Sequence, residues 1–474
     1  MTGTSITKLE DWISGSGVEQ VTGVHITKSI YDGLGIEFNK EENLQDEEDF
    51  LKAQKNEEDG DKDGGEPDLD EDEEDEKILL LVPSELILSP DRIRELAQDD
   101  EKLQKWLELE NISDTDVLHR GLLYLWLCKK DNPWTEYFET LPKNIDLPFT
   151  YSIKKMESLD FSTVSIHHAA ITKRLSLEKS YERFVHDAST SRKLELWEWL
   201  LPHAWISSRG LTHPLTGQTC LVPLIDLCNH SSKKSNVRYD ADEEGNFELL
   251  LTEPVGDFET GELFLNYGDR STSEFLFNYG FVPDDRSEDD FEELFKLFDP
   301  SADEIRDIID PSRYKKDQLS KEEKQEWEMT YDVLLDFFEE EAAQILRIIR
   351  FPKIVEPEEA KRYRFHNNFI MALASNDHLE LYKTSGPEQG LYLGETKLTT
   401  SNVFSTARQL GDDKVLSQAR ELVANLCEYF ANQVSAVSHD RNDDPWVVKV
   451  ATAESSLYRN YAKSSRKLVE EDKK

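Results

Sequence analysis

Between Leu221 and Val282 the chain reads LVPLIDLCNHSS, then a polar stretch, then GELFLNYGDRSTSEFLFNYGFV. An apolar, strand-like run delivers Asn229-His230. Two Tyr-Gly steps, Tyr267-Gly268 and Tyr279-Gly280, flank a short helical segment. Each piece alone has an ordinary explanation, because Asn-His is a common turn dipeptide and Tyr-Gly commonly ends a strand. Their order and spacing together are harder to account for by packing, and the rest of the chain is read around them.

Upstream, strands come first. Residues 7–14 have helical spacing, with Leu9, Trp12 and Ile13 on one side and Gly15 and Gly17 as a stop. Val21 to Lys28 alternates as a strand does, Asp32-Gly33 signals a hairpin, and Gly35 to Phe38 is extended again. Lys77 to Leu88 begins as a buried strand that Pro83 ends. Helical patterns then run from Pro90 to His203. They cover Arg92–Leu109, Asp116–Lys130, a short helix at Pro133–Phe138, Val164–Asp187 and Arg192–Trp205. Strands return at Leu211, at Cys220–Leu227, at Phe247–Leu251 and at Glu262–Asn266, before a brief helix over Ser271–Tyr279 that Gly280 closes. Beyond Pro283 amphipathic spacing predicts helices over Asp290–Phe298, Ser320–Arg350, Arg362–Ala374, Asp413–Val437 and Ala451–Lys467.

Charge sets further limits. The net charge is −43. Glu41 to Lys77 holds 20 acidic and 4 basic residues, a net of −16 that leaves −27 elsewhere. So acidic a stretch cannot bury apolar surface and is expected to be a solvated, disordered insertion. Such a chain suits basic protein partners and disfavours direct contact with nucleic acid or anionic membrane. There is no apolar run of transmembrane length and no secretory signal at the N-terminus. Cys128, Cys220, Cys228 and Cys427 are scattered without CxxC, which suits reduced intracellular thiols rather than disulfides or zinc.

Several candidate residues carry little weight alone. Gly33-Leu34-Gly35 is a lone GxG with no helix after it, useful only for close backbone approach. Arg209 stands where a helix passes into a strand, a common place for a basic residue. Asn229 offers donors and an acceptor. His230 has no His or Cys at ligand spacing, so a metal is not expected, and His167-His168 reads as a surface pair on a helix. No GxSxG elbow supports a serine triad.

Taken together, the Asp32-Gly33-Leu34-Gly35 turn, VPSELILS, HAWISSRG, LIDLCNH and NYG…NYGF resemble the SET-domain protein-lysine N-methyltransferases of the Rubisco large-subunit methyltransferase type. The resemblance spans nearly the whole chain. It implies an α+β fold: a SET-domain β-fold of short strands with a large helical insertion, followed by an α-helical C-terminal domain. The divisions are 1–90 for the N-terminal part of the SET domain with the acidic insertion 41–77, 91–205 for the helical insertion, 206–283 for the rest of the SET core with the cofactor and lysine site, and 284–474 for a helical substrate-binding domain.

The resemblance also implies S-adenosylmethionine as methyl donor. Asp32 and Leu34 match cofactor-contacting positions, Arg209 the arginine that holds its carboxylate end, and Asn229 and His230 the Asn-His pair. Tyr267 matches the catalytic tyrosine and also a cofactor contact. Ser208 and Asp226 match positions lining the target-amine pocket, Asp226 through its backbone carbonyl. Tyr279 and Phe281 match aromatic positions shaping the cofactor and lysine channel, and Tyr239 is placed among the substrate-binding positions. Asp32 departs from the usual glutamate, Thr272 from a frequent asparagine, and the acidic insertion is unusually large.

Relatives of this type methylate ribosomal proteins, elongation factors and other non-histone targets, so a basic, translation-related protein is the expected substrate. A monomer in the cytoplasm, with the nucleus as a second compartment, is the matching expectation. Methyl transfer to lysine needs a neutral amine, a nearby sulfonium and exclusion of water, which a narrow apolar channel and an orienting phenol supply. Two alternatives stand beside it: histidine as the acceptor, and a catalytically silent SET scaffold that binds basic proteins.

Overall fold

Helix α1 (Gly3–Ser16) turns Leu9 and Ile13 into the core and leads to the first strands. The structure is a computed structural model that describes residues 3–29, 33–45, 77–109, 112–129, 131–158, 166–187, 193–252, 259–284, 293–297, 320–322, 348–352, 381–384, 390–399, 402–440 and 445–472. Asp32, most of the acidic insertion and the helix expected over 362–374 lie outside these residues. The chain divides into two compact units. One comprises Met1–Thr150, Lys173–Gly268 and Asn278–Glu288; the other comprises Tyr151–Thr172, Asp269–Phe277 and Asp289–Lys474.

The first unit carries two sheets. Strands β1 (Glu19–Gln20), β2 (Val24–Lys28), β3 (Leu34–Phe38) and β4 (Ile78–Val82) follow α1, with residues 40–45 helical between β3 and β4. β2 and β3 pair antiparallel with Lys28 opposite Leu34, and the Ser29 N–H donates to the Gly33 carbonyl at 3.0 Å, so a hairpin forms where Asp32-Gly33 signalled one.

The helices of this unit are α2 (Pro90–Gln98), α3 (Glu101–Glu108), α4 (Asp114–Leu127) and α5 (Thr135–Thr140). After α6 (Ile153–Ser158) of the second unit comes α7 (Ile166–Asp187), whose residues are shared between the two, and then α8 (Leu196–Arg209). Trp134 and Trp205 are fully buried; their indole N–H groups donate to the Leu86 and Pro142 carbonyls at 2.7 and 2.8 Å. Pro202 lies inside α8, where it removes a ladder donor.

Strands β5 (Leu211–Thr212) and β6 (Thr219–Cys220) form a hairpin. Next come β7 (Asn229–His230), β8 (Val237–Ala241), β9 (Phe247–Leu251), β10 (Gly261–Glu262) and β11 (Phe264–Leu265). The larger sheet has the order β1-β4-β9-β8-β11-β7 and the smaller one β10-β3-β2. Phe38, Leu79, Val82, Phe247, Leu249 and Leu263 are at the centre of the shared core.

The second unit holds α9 (Thr272–Tyr279) up to Phe277, the pair β12 (Glu293–Leu297) and β13 (Ile348–Pro352), and a meander of β14 (Leu381–Thr384), β15 (Gly390–Leu393) and β16 (Thr396–Lys397). It ends in two long antiparallel helices, α10 (Val403–Asp440) and α11 (Pro445–Asp472). Ser435 and Ser455 meet at 2.7 Å near the connection, and the Ser465 hydroxyl donates to the Arg420 carbonyl at 2.7 Å near the far end. Proline at the first position of α11 has no N–H to leave unpaired.

Four expectations are corrected. The helix over Arg92–Leu109 is two, because the Asp100 carboxylate accepts from the Lys102 and Leu103 N–H groups and caps a new start. Cys220–Leu227 is not one strand: Pro223 lacks a donor, Leu224 adopts φ 71°, and Ile225–Leu227 closes as a 3₁₀ turn. Glu262–Asn266 is divided between two sheets at Leu263, whose N–H donates to the Ile36 carbonyl at 2.7 Å. Finally, Glu293–Leu297 is a strand, as is the Ile348–Arg350 end of the expected Ser320–Arg350 helix; a partner more than fifty residues away overrides the local period. The strands at 381–397 carried no recognised signal. Among the described residues no helix is long and apolar enough to cross a membrane.

Candidate active site

The parallel pairing of β7 with β11 sets Phe264 opposite Asn229 and Leu265 opposite His230. The segment after β11 therefore passes beside the Asn-His pair. The Tyr267 N–H donates to His230 Nδ1 at 3.1 Å, and His230 Nε2 meets the Ser232 hydroxyl at 3.0 Å. Because Nδ1 accepts, the proton of this buried imidazole is on Nε2, and the ring is a neutral brace. It is not placed as a general base towards Tyr267.

The Tyr267 hydroxyl donates to the Cys228 carbonyl at 2.7 Å. Its ring is 5.1 Å from His230 and 4.9 Å from Tyr279, and Phe281 lies 6.4 Å from His230 and 6.2 Å from Tyr279. Four aromatic rings from the two motifs thus converge. Burial holds the Tyr267 phenol well above its ordinary range, partly offset by Arg209, so it remains a neutral donor. Gly280 has φ 82°, and a side chain there would come within 3.0 Å of the Asp146 carbonyl, which makes glycine necessary at this bend.

Asn229 joins the sheets. Its amide donates to Glu262 Oε1 at 2.8 Å and, at 3.4 Å, to the Leu34 carbonyl. A Cβ on Gly35 would lie 2.5 Å from Glu262 Oε1 and 3.3 Å from Asn229 Nδ2, so the glycine keeps this corner open. Asn236 locks the crossing strand: its side chain accepts from the Phe264 N–H at 2.8 Å and donates to the Glu262 carbonyl at 3.2 Å.

Arg209, at the end of α8, donates from Nη1 to the Asp226 carbonyl at 2.7 Å and lies 3.9 Å from its Oδ2. The rest of its guanidinium has no hydrogen bond to the described residues. Asp226 is fully buried. Burial raises its carboxyl to about 6, against the lowering effects of Arg209 and of the Tyr137 hydroxyl, which donates to Oδ2 at 2.6 Å. Oδ1 has no partner among the described residues.

The structure therefore gathers Leu34, Arg209, Asp226, Asn229, His230, Tyr267, Tyr279 and Phe281. Ser208 bonds back to the Ala204 carbonyl at 2.8 Å. Tyr239 shares a face of β8 with buried Val237 and stacks on Phe247 at 5.8 Å. Asp32 lies outside the described residues. Glu262, Asn236 and Tyr137 escaped notice in the sequence; none belongs to a motif, and their partners are 26 to 89 residues away. Among the described residues no group of three or more His, Cys, Asp or Glu could hold a metal ion.

No protein-family model matches the chain. SET domain-containing protein 8 of Schizosaccharomyces pombe is 32% identical over 215 residues, which cover 44% of this chain and 48% of that protein. The actin-histidine N-methyltransferase of Gallus gallus is 27% identical over 236 residues, 45% of this chain and 37% of that protein. The matches thus span less than half the length of these curated relatives. The crystal structure of the SET domain of LSMT bound to lysine and AdoHcy aligns with a TM-score of 0.57 at 13% identity, covering 100% of this chain and 92% of that one. Rubisco LSMT bound to AdoMet aligns at 0.54 and 13% identity, covering 98% and 92%. The α+β architecture expected from the sequence is that fold.

Proposed function

We propose, for a chain that belongs to the SET-domain methyltransferase family, that it transfers a methyl group from S-adenosylmethionine to a lysine of a protein. The observation that carries this reading is the Tyr267 hydroxyl held on the Cys228 carbonyl, at the meeting point of four rings and beside Asn229 and Arg209.

The residues present fit the donor molecule. Arg209 has guanidinium donors to spare for a carboxylate, and Gly35 and Asn229 keep an open, polar corner where a Cβ would collide. Leu34, Arg209, Asn229 and His230 would hold it, with Phe281 against its apolar parts. When bound, S-adenosylmethionine supplies an electrophilic methyl on a sulfonium.

The chain's own residues then orient and dehydrate the acceptor. A lysine near its ordinary pKa of about 10.4 is charged in water and must shed a proton before attack; the rings of Tyr267, Tyr279 and Phe281 favour its neutral form by desolvation. Carbonyl oxygens have two lone pairs, so those of Asp226 and Cys228 can each accept an amine N–H while keeping Arg209 and Tyr267. The protonated phenol places a fixed dipole at the reacting nitrogen.

The substrate we favour is a basic protein, which the −43 charge suits, and within that class one of the translation apparatus, a ribosomal protein or elongation factor, which the motif resemblance implies. Histidine is the second reading, supported by curated relatives named for actin-histidine methylation. Mass-spectrometric mapping of the transferred methyl tests both. Methyllysine is the expected product, and methylhistidine in its place would overturn the lysine reading.

A further inference from the structure

The turn that carries the Cys228 carbonyl is strained. Leu224 adopts φ 71° and ψ −55°, the strained γ-turn conformation that a residue with a Cβ rarely takes. Such a turn persists only where its surroundings over-determine it. Here the Asp226 N–H donates to the Val222 carbonyl at 3.1 Å, the Leu227 N–H to Leu224 at 2.8 Å and the Cys228 N–H to Ile225 at 3.1 Å. From outside the turn, Arg209 takes the Asp226 carbonyl and the Tyr137 hydroxyl takes the Asp226 carboxylate.

Tyr137 is itself fully buried on α5, eighty-nine residues from Asp226. That helix is also anchored at its N-terminal cap, where the Trp134 indole donates to the Leu86 carbonyl at 2.7 Å. The short 2.6 Å bond to Oδ2 is therefore a rigid strut between the helical insertion and the strained turn.

We propose that Tyr137 and Asp226 form a positioning pair, through which the helical insertion holds the Cys228 carbonyl, and with it the Tyr267 hydroxyl, in register for transfer. Asp226 acts here through its side chain, in addition to the backbone carbonyl. Only the catalytic consequence rests on the methyltransferase reading. The titratable and charged groups around the carboxylate are Tyr137 on α5, Arg209 on α8, and Cys228 and Tyr267 beyond the turn, with Cys220 next to Tyr137. Asp226 is the member whose ordinary titration is moved towards neutrality, to about 6. Protonation weakens its hold on the Tyr137 hydroxyl, so the register of Tyr267 depends on pH.

The test uses the full chain with tyrosine carrying ¹³C at Cζ, the Tyr267 signal being identified by its loss in Tyr267→Phe. In the parent the Tyr267 signal is expected to move with a midpoint near pH 6. In Tyr137→Phe and in Asp226→Asn the signal shifts at pH 8; in Asp226→Asn the step near pH 6 disappears, and in Tyr137→Phe it moves to higher pH, because the phenol that lowers Asp226 is gone. In a methyl-transfer assay on fractionated cell protein, Tyr137→Phe lowers kcat about tenfold while KM changes less than twofold, an effect that simple destabilisation does not produce.

A parent Tyr267 signal that is flat from pH 8 to 5 overturns the pair, and this arm needs no variant to fold. An unmoved signal in a folded Tyr137→Phe also overturns it. Signals that behave as expected, in a protein that transfers no methyl to any fraction, support the pair and sink the methyltransferase reading instead.

Discussion

The Asn229 amide donates to the Glu262 carboxylate at 2.8 Å and to the Leu34 carbonyl at 3.4 Å, so one side chain on the larger sheet ties down two strands of the smaller one. Removing it in Asn229→Ala leaves a half-buried carboxylate without this donor. The expected cost is about 1–3 kcal/mol, read as a lowered midpoint in urea, together with weaker S-adenosylmethionine binding by calorimetry. An unchanged midpoint would show that the bridge does not stabilise the fold.

Gly35→Ala separates the cofactor corner from the fold. The added methyl collides with the far end of Glu262, which can swing away, so stability should fall by less than about 1 kcal/mol. The Asn229–Glu262 bond is what yields, and affinity for S-adenosylmethionine should drop at least tenfold. Equal affinity in the two proteins would remove Gly35 and Asn229 from the donor site.

How much of this was legible beforehand follows from the range of each interaction. The hairpin at Asp32-Gly33 is written in adjacent residues and local rules find it, whereas the helix expected over Arg192–Trp205 runs Leu196–Arg209, four residues further on at each end. The convergence of Tyr267, His230 and Tyr279 could be placed because the motifs preserve order and spacing. Tyr137, Asn236 and Glu262 could not be placed, since each matters through a partner remote in sequence. The 293–297 strand reads as helix from its sequence for a related reason: a short apolar run fits either period until its partner at 348–352 is known.

His119 and His203 stack at 3.6 Å, both buried in the helical insertion, where the His119 Nε2–H donates to the Trp199 carbonyl at 2.8 Å. Burial lowers His119 to about 4 and His203 well below its ordinary value. A depressed folded-state value means stability that is complete above pH 6.5 and is lost as pH falls towards 4. For His119 that amounts to roughly 3 kcal/mol. His203→Phe should move the acid-unfolding midpoint to lower pH, and circular dichroism during acid titration checks this. A midpoint at the parent's pH or higher would contradict it.

Asp226 has the opposite sign. Its folded-state value is raised to about 6, so its contribution is fully present below its ordinary range and lost as pH rises through 6. Asp226→Asn keeps the shape and cannot ionise. The variant should therefore gain stability relative to the parent between pH 5 and 8, by roughly 1–3 kcal/mol. Denaturant melts at the two pH values measure it. A difference that is the same at both would place no ionised carboxylate at this position.

The most direct measurement is transfer of labelled methyl from S-adenosylmethionine into protein fractions from cells that lack this chain, with parent and Tyr267→Phe side by side. Loss of the hydroxyl breaks the bond to the Cys228 carbonyl and removes the dipole at the reacting nitrogen, while the part-buried ring stays. The account predicts a labelled band with the parent, a loss of about 100-fold or more with the variant, and equal S-adenosylmethionine binding by both. A variant that binds the donor and transfers methyl as fast as the parent would contradict it.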